Sequence, residues 1–135
     1  MSEAIPAPDS YPTICPYLYY QDGVAAMQFL EKAFGFRERF CTTDDTGQVR
    51  HAEMELNGGV VMLGCPPDFK TPKQLGQTTV GVYVHVTDVD AHYAQAKAAG
   101  AEIQADIADQ DYGVRSYGVL DPEGHQWWFS APLAK

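Results

Sequence analysis

His51 and Glu53 stand two residues apart in the segment VRHAEMEL, whose alternation of charged and apolar residues is that of a β-strand, so both side chains share one strand face. An H-x-E pair on one face suits a metal ion, but it needs further donors, and solvated strand charges have the same pattern. Arg115 and Tyr117, in the β-rich segment VRSYGVL, suit an anionic or planar group, while pairing of Arg115 with Asp109, Asp111 or a carboxylate on a neighbouring strand would use the guanidinium internally. His92 falls in a helical pattern and His125 in a turn, and both are expected at the surface. No glycine-rich phosphate loop and no nucleophile elbow occurs.

The elements that position these residues follow from periodicity and turn chemistry. The stretch from Thr13 to Tyr20 is β-rich, Asp22 is placed to cap a helix over Val24 to Phe34, and Gly35 ends it. Strands are expected over Phe36 to Thr42, Gln48 to Leu56 and Val60 to Gly64, with Asn57-Gly58 as a tight turn. After a linker with three prolines, Pro66 to Gln77, a candidate lid, the order recurs. A strand spans Thr79 to Val86 and a helix Val89 to Ala99; strands follow near Ala101 to Ile107, over Val114 to Leu120 and over Gln126 to Ser130, the last two joined by Asp121-Pro122-Glu123-Gly124.

An offset of 66 residues relates the halves, matching Thr13 to Thr79, Tyr17 to Tyr83, Asp22 to Asp88, Ala25 to Ala91, Gly47 to Gly113 and Gly58 to Gly124. The expected fold is α+β: two β-α-β-β-β units, 11–65 and 78–132, joined by the linker 66–77 in one domain over 11–135, after a flexible arm, 1–10.

Composition narrows the partners. A net charge of −9 and a pI near 4.6 oppose nucleic acid and would attract a cationic ligand, although acidic surfaces also serve solubility. The three cysteines, Cys15, Cys41 and Cys65, form no paired framework, which fits a reduced cytoplasmic setting. No run is long enough to span a membrane, and the N-terminus has no signal-peptide pattern.

The repeat, the openings LYYQDGVAAMQFLEKAFGF and VYVHVTDVDAHYAQAKAAGA, and the ending DPEGHQWWF resemble the vicinal oxygen chelate superfamily, which includes glyoxalase I, extradiol dioxygenases and bleomycin-resistance proteins. In metal-dependent members the resemblance implies ligands on the first and last strands of each unit, commonly His or Glu. Those positions here are Cys15, Met62, Gly81 and Trp128. Only Cys15 is a plausible ligand, and one cysteine cannot close a site, so no metal and no cofactor is expected.

Strand parity extends these positions into a pocket map. Cys15, Tyr17 and Tyr19, Val60, Met62 and Gly64, Gly81, Tyr83 and His85, and Gln126, Trp128 and Ser130 face inward. Ile14, Leu18, Tyr20, Val61, Leu63, Val82, Val84, Val86, Trp127 and Phe129 face the helices. The inward set mixes aromatic rings with isolated polar tips, as small-molecule cavities do, though the same rings could simply fill the hollow. Candidate ligand-binding residues are therefore Cys15, Tyr17, Tyr19, His51, Glu53, Met62, Tyr83, His85, Arg115, Tyr117 and Trp128. The expected function is metal-free binding of a cationic or aromatic drug-like molecule by a homodimer, as the bleomycin-resistance branch implies. The alternative is a metal-dependent lyase, isomerase or dioxygenase using displaced ligands such as His51, Glu53 and His85, or a metal-free acid–base reaction with Glu53 and Tyr83.

Overall fold

Asp22 and Asp88 each start a long helix by accepting a backbone N–H three residues on, from Ala25 and Ala91 at 3.0 Å, so the two units open alike. The computed structural model describes residues 10–133; the expected arm, 1–10, lies outside them apart from Ser10. The first unit runs β1 (Tyr17–Tyr19), α1 (Gly23–Phe34), β2 (Arg37–Thr43), β3 (Val49–Leu56) and β4 (Gly59–Gly64). A short helix, α2 (Pro72–Leu75), lies in the linker. The second unit runs β5 (Gly81–His85), α3 (Val89–Ala98), β6 (Glu102–Asp109), β7 (Val114–Leu120) and β8 (Gln126–Pro132). This is the expected α+β architecture. The sheets have matching orders, β1-β4-β3-β2 and β5-β8-β7-β6, each with one parallel pair at its edge.

The repeat persists in the strand register. Tyr17 pairs with Met62 across β1 and β4, and Tyr83 pairs with Trp128 across β5 and β8, so both partners advance by 66. On β7 the relation changes by one residue: Glu53 lies opposite Met62, whereas Gly118, not Val119, lies opposite Trp128. The turns differ in length. Leu56 and Gly59 close a two-residue turn with positive φ at Asn57 and Gly58, while Leu120 and Gln126 flank a five-residue loop.

That five-residue loop joins the units. Asp121, 4% exposed, accepts four hydrogen bonds: from the backbone N–H of Glu123 (3.1 Å) and His125 (3.0 Å), from Trp127 Nε1 (3.1 Å), and from the Tyr20 hydroxyl of unit one (2.6 Å). Burial beside this carboxylate pushes the Tyr20 hydroxyl far above the usual phenol range, so it stays a donor. Next to it, the Glu123 carboxylate receives the N–H groups of Gln21 (2.6 Å) and Asp22 (2.9 Å) just ahead of α1, at the positive end of the helix dipole.

The linker is anchored to the same loop rather than free to swing as a lid. Lys73 N–H donates to the Glu123 carbonyl at 3.0 Å, and a Cβ on Gly124 would fall 2.5 Å from the Lys73 nitrogen, so a side chain there would displace α2. The Thr71–Gln74 capping box and Pro72 at its start make α2 helical, a local signal outweighed in the sequence by proline content.

The two units share one core. Phe34, at the end of α1, packs 5.3 Å from Trp127 and 4.7 Å from Phe129 of β8. His92 completes the junction: Nδ1 lies 2.6 Å from the Tyr117 hydroxyl and Nε2 2.8 Å from the Phe34 carbonyl. It is buried, not on the surface as its polarity suggested, and burial lowers its pKa despite the bond to Phe34. The residues expected beneath the helices are there, with one exception: Ile14 is 82% exposed, because β1 starts only at Tyr17, after Pro16.

The Asp121 network predicts a graded loss of stability. Asp121→Asn puts an amide donor among four donors and should lower unfolding free energy by about 1 to 3 kcal/mol, whereas Tyr20→Phe removes one donor and should cost about 1 kcal/mol. Urea unfolding midpoints check this; equal, negligible shifts would show that the network is not a keystone.

Candidate functional site

The concave faces of the two sheets carry the polar and aromatic side chains that the helix-side core excludes. On β8, period-2 alternation buries Trp127 completely against Phe34 and Phe36 and turns Trp128 to the opposite face. The Trp128 ring lies across β7 at Gly118, where a Cβ would approach its six-membered ring to 3.0 Å; Gly81 on β5 flanks its other side at 3.6 Å. Gly118 thus makes room for the indole, a close-approach signal in the sequence that strand reading alone passes over, while Gly81 leaves an ordinary contact distance. The half-buried indole, with Gln126, Val80, Leu120, Glu102, Gln104 and Lys73, lines an open groove of about 670 Å³ between sheet and linker. Its size is that of small-molecule sites. On the same face the exposed His85 has its Nδ1 3.4 Å from the buried Ser130 hydroxyl.

The concave face of the first sheet holds a second cluster. Glu53 is 2% exposed, unlike the solvated strand charge that its pattern also allowed. Its Oε2 accepts from the Tyr11 hydroxyl (3.1 Å) and lies 2.8 Å from His51 Nε2; its Oε1 faces Arg39 Nε at 3.9 Å. His51 Nδ1 in turn lies 2.9 Å from the Tyr17 hydroxyl. Tyr11 rests on Arg39, its ring 4.8 Å from the guanidinium, and Arg39 also bonds the Ser10 carbonyl. The segment starting at Ser10 therefore covers Glu53, a role that no periodicity in the sequence signals.

Tyr17, Tyr19 and Tyr83 are about half exposed along the two sheet-edge strands β1 and β5. A cleft of about 260 Å³ shared by Ile14, Pro16 and Val60 of unit one with Val82, Tyr83 and His85 of unit two runs between the sheets. Cys15 and Met62 are partly buried, the Cys15 thiol donating to the Pro12 carbonyl at 3.5 Å.

Two sequence candidates lie elsewhere. Tyr117 is fully buried on the helix side, stacked on Phe129 and bonded to His92. Arg115, on the same face of β7, holds Asp109 (2.6 Å) and Asp90 of α3 (3.2 Å). Its charge keeps the Asp109 carboxyl below the usual range. A strict 66-residue offset would align Tyr117 with His51 on the concave face; the one-residue register change on β7 turns Tyr117 and Arg115 to the helices.

The four positions implied for metal ligands do not form a donor set. Gly81 has no side chain, Trp128 offers only an N–H and lies flat on Gly118, Met62 is a soft thioether, and the Cys15 thiol is bonded to a carbonyl. Among the described residues no three His, Cys, Asp or Glu side chains gather as a metal-binding group, so His51 and Glu53 are not joined by His85 within the chain.

Comparison with known proteins agrees with the fold and its repeat. Residues 13–129 match the family model of the Glyoxalase/Bleomycin resistance protein/Dioxygenase superfamily. An uncharacterised protein of Mycobacterium bovis is 36% identical over 128 residues, covering 90% of this chain and 84% of that one. The crystal structure of TioX from Micromonospora sp. ML1 superposes with a TM-score of 0.73 at 34% identity, covering 92% of this chain and 98% of TioX. The fosfomycin resistance protein FosX from Listeria monocytogenes, in its complex with Mn(II) and sulfate, has a TM-score of 0.69 at 15% identity over 90% of each chain and shares the fold. With the repeated units, the register and the family match in agreement, the chain belongs to the glyoxalase/bleomycin resistance protein/dioxygenase superfamily.

Proposed function

We propose that this protein binds a small, planar or cationic molecule without a bound metal and acts by sequestering it. The observation that carries this reading is Trp128: a partly exposed indole lying against Gly118 and lining the 670 Å³ groove. An indole that only filled space would be covered, as Trp127 is. Stacking and cation–π contacts at such a ring contribute roughly 0.5 to 2 kcal/mol, and the net charge of −9 favours a cation. The family's fold supports small-molecule chemistry in general, while the residues at the implied metal positions favour binding over metal-assisted catalysis.

The protein is proposed to work as a homodimer in the cytoplasm. Ile14, Val80, Tyr83 and Tyr112 are exposed large apolar side chains, a kind of surface that subunit contacts cover. A second copy would cover part of it and deepen the grooves.

Two results are expected. Trp128→Phe should keep the fold, seen by an unchanged unfolding midpoint, and weaken calorimetric binding of a planar aromatic cation such as ethidium by about 3- to 20-fold. Equal binding by wild type and variant would remove Trp128 from the site. Sedimentation at micromolar concentration should give a dimer; monomer alone would refute the assembly.

A further inference from the structure

The groups around Glu53 favour one direction for the hydrogen bonds of its cluster. Tyr11 donates to Oε2, the Arg39 guanidinium faces Oε1, and the His51 tautomer with its proton on Nε2 also points a donor at Oε2, so the carboxylate is the acceptor. In that tautomer of the neutral imidazole Nδ1 is an acceptor, and the hydrogen-bond partner it has among the described residues is the Tyr17 hydroxyl at 2.9 Å. The single phenolic proton is then committed to His51. Burial and the neighbouring Tyr19, Cys65 and Glu53 raise the Tyr17 pKa, which keeps that proton in place.

We propose that the Glu53–His51–Tyr17 chain orients the Tyr17 oxygen as a hydrogen-bond acceptor for a protonated amine, making Tyr17 the residue that selects ligands carrying an ammonium N–H. The proposal rests on the small-molecule reading above and names the charged end of the ligand. Tyr17 is 45% exposed and lines a cleft of about 380 Å³ with Tyr19, Cys65 and Pro66, which also holds Asp44 and Arg50. Bonds from Thr46 and Gln48, with the nearby Arg50 charge, keep the Asp44 carboxyl below its usual range, so the cleft holds one charge of each sign and the selection falls to the Tyr17 oxygen. Tyr19 meets Tyr17 edge to face at 5.9 Å and supplies a ring for the apolar body of the ligand. Gly64 leaves room for the phenol, since a Cβ there would fall 2.8 Å from the Tyr17 hydroxyl.

An unassisted aromatic site and an oriented acceptor differ in a measurable way. A ring face alone favours a quaternary ammonium, which carries no N–H and is easier to desolvate; an acceptor oxygen favours the ammonium that can donate. Benzylammonium and benzyltrimethylammonium, titrated by chemical-shift perturbation at pH 8, separate the two. Wild type should bind benzylammonium about tenfold more tightly than its trimethyl analogue, the size of one charge-assisted hydrogen bond. Tyr17→Phe should abolish the preference. His51→Phe should also abolish it, because the Tyr17 proton loses its acceptor and turns to the cleft. Equal affinities in wild type, or a preference that survives Tyr17→Phe, would overturn the oriented acceptor and leave the aromatic groove standing. Absence of binding by both probes would overturn the proposal together with the small-molecule reading.

Discussion

A buried carboxylate that is held by donors rather than by a cation decides how the two halves of this molecule sit together. Asp121 joins Tyr20 of the first unit to Trp127 and the loop backbone of the second, and Glu123 next to it seats the start of α1. Removing such a group from water costs several kcal/mol unless its lone pairs are satisfied, so each of the four bonds adds to the stability of the junction. The aromatic core lies beside this junction. Phe34 of α1 packs on Trp127 and Phe129, with the loop at the start of α1 and His92 at its end holding the helix against the second sheet. With the helix faces consumed in that junction, the concave faces remain for ligands.

Much of this was legible in the chain. Caps at Asp22 and Asp88 and the turn glycines marked the elements, and the 66-residue offset marked the repeat, which the register of Tyr17 with Met62 and of Tyr83 with Trp128 reproduces. The division between Trp127 and Trp128 was legible because alternation leaves a strand two faces and only one was apolar throughout. What escaped the sequence depends on geometry beyond the strand. The register change on β7 arises from a longer loop, and it moved Tyr117 and Arg115 to the helix side. His92 is buried because a phenol and a helix-end carbonyl meet it from two other elements, and neither is close to it in sequence. Glu53 is buried under Tyr11, some forty residues away, which no local pattern encodes.

The same comparison bears on function. FosX, which shares the fold, has been crystallised with Mn(II), whereas at the first- and last-strand positions that the resemblance implies for metal ligands this chain has a thiol, a thioether, a glycine and an indole. Soft and aromatic groups at these positions suit stacking better than polarising oxygen, which is the basis of the proposed binding role. Gly118 gives the Trp128 indole its room, since a Cβ there would come within 3.0 Å of the ring. The two concave faces differ in chemistry: an indole at Trp128 on one, and a polar chain ending on Tyr17 on the other.

The central claim, that Trp128 is a ligand floor rather than packing, is tested most directly through its fluorescence. Trp127→Phe leaves Trp128 as the sole indole of the chain, so its emission can be followed alone while planar aromatic cations are titrated. A saturable change in intensity and wavelength, with a midpoint equal to the calorimetric affinity, is the predicted result. A ligand that binds with the same affinity by calorimetry yet leaves the Trp128 emission unchanged would contradict the account.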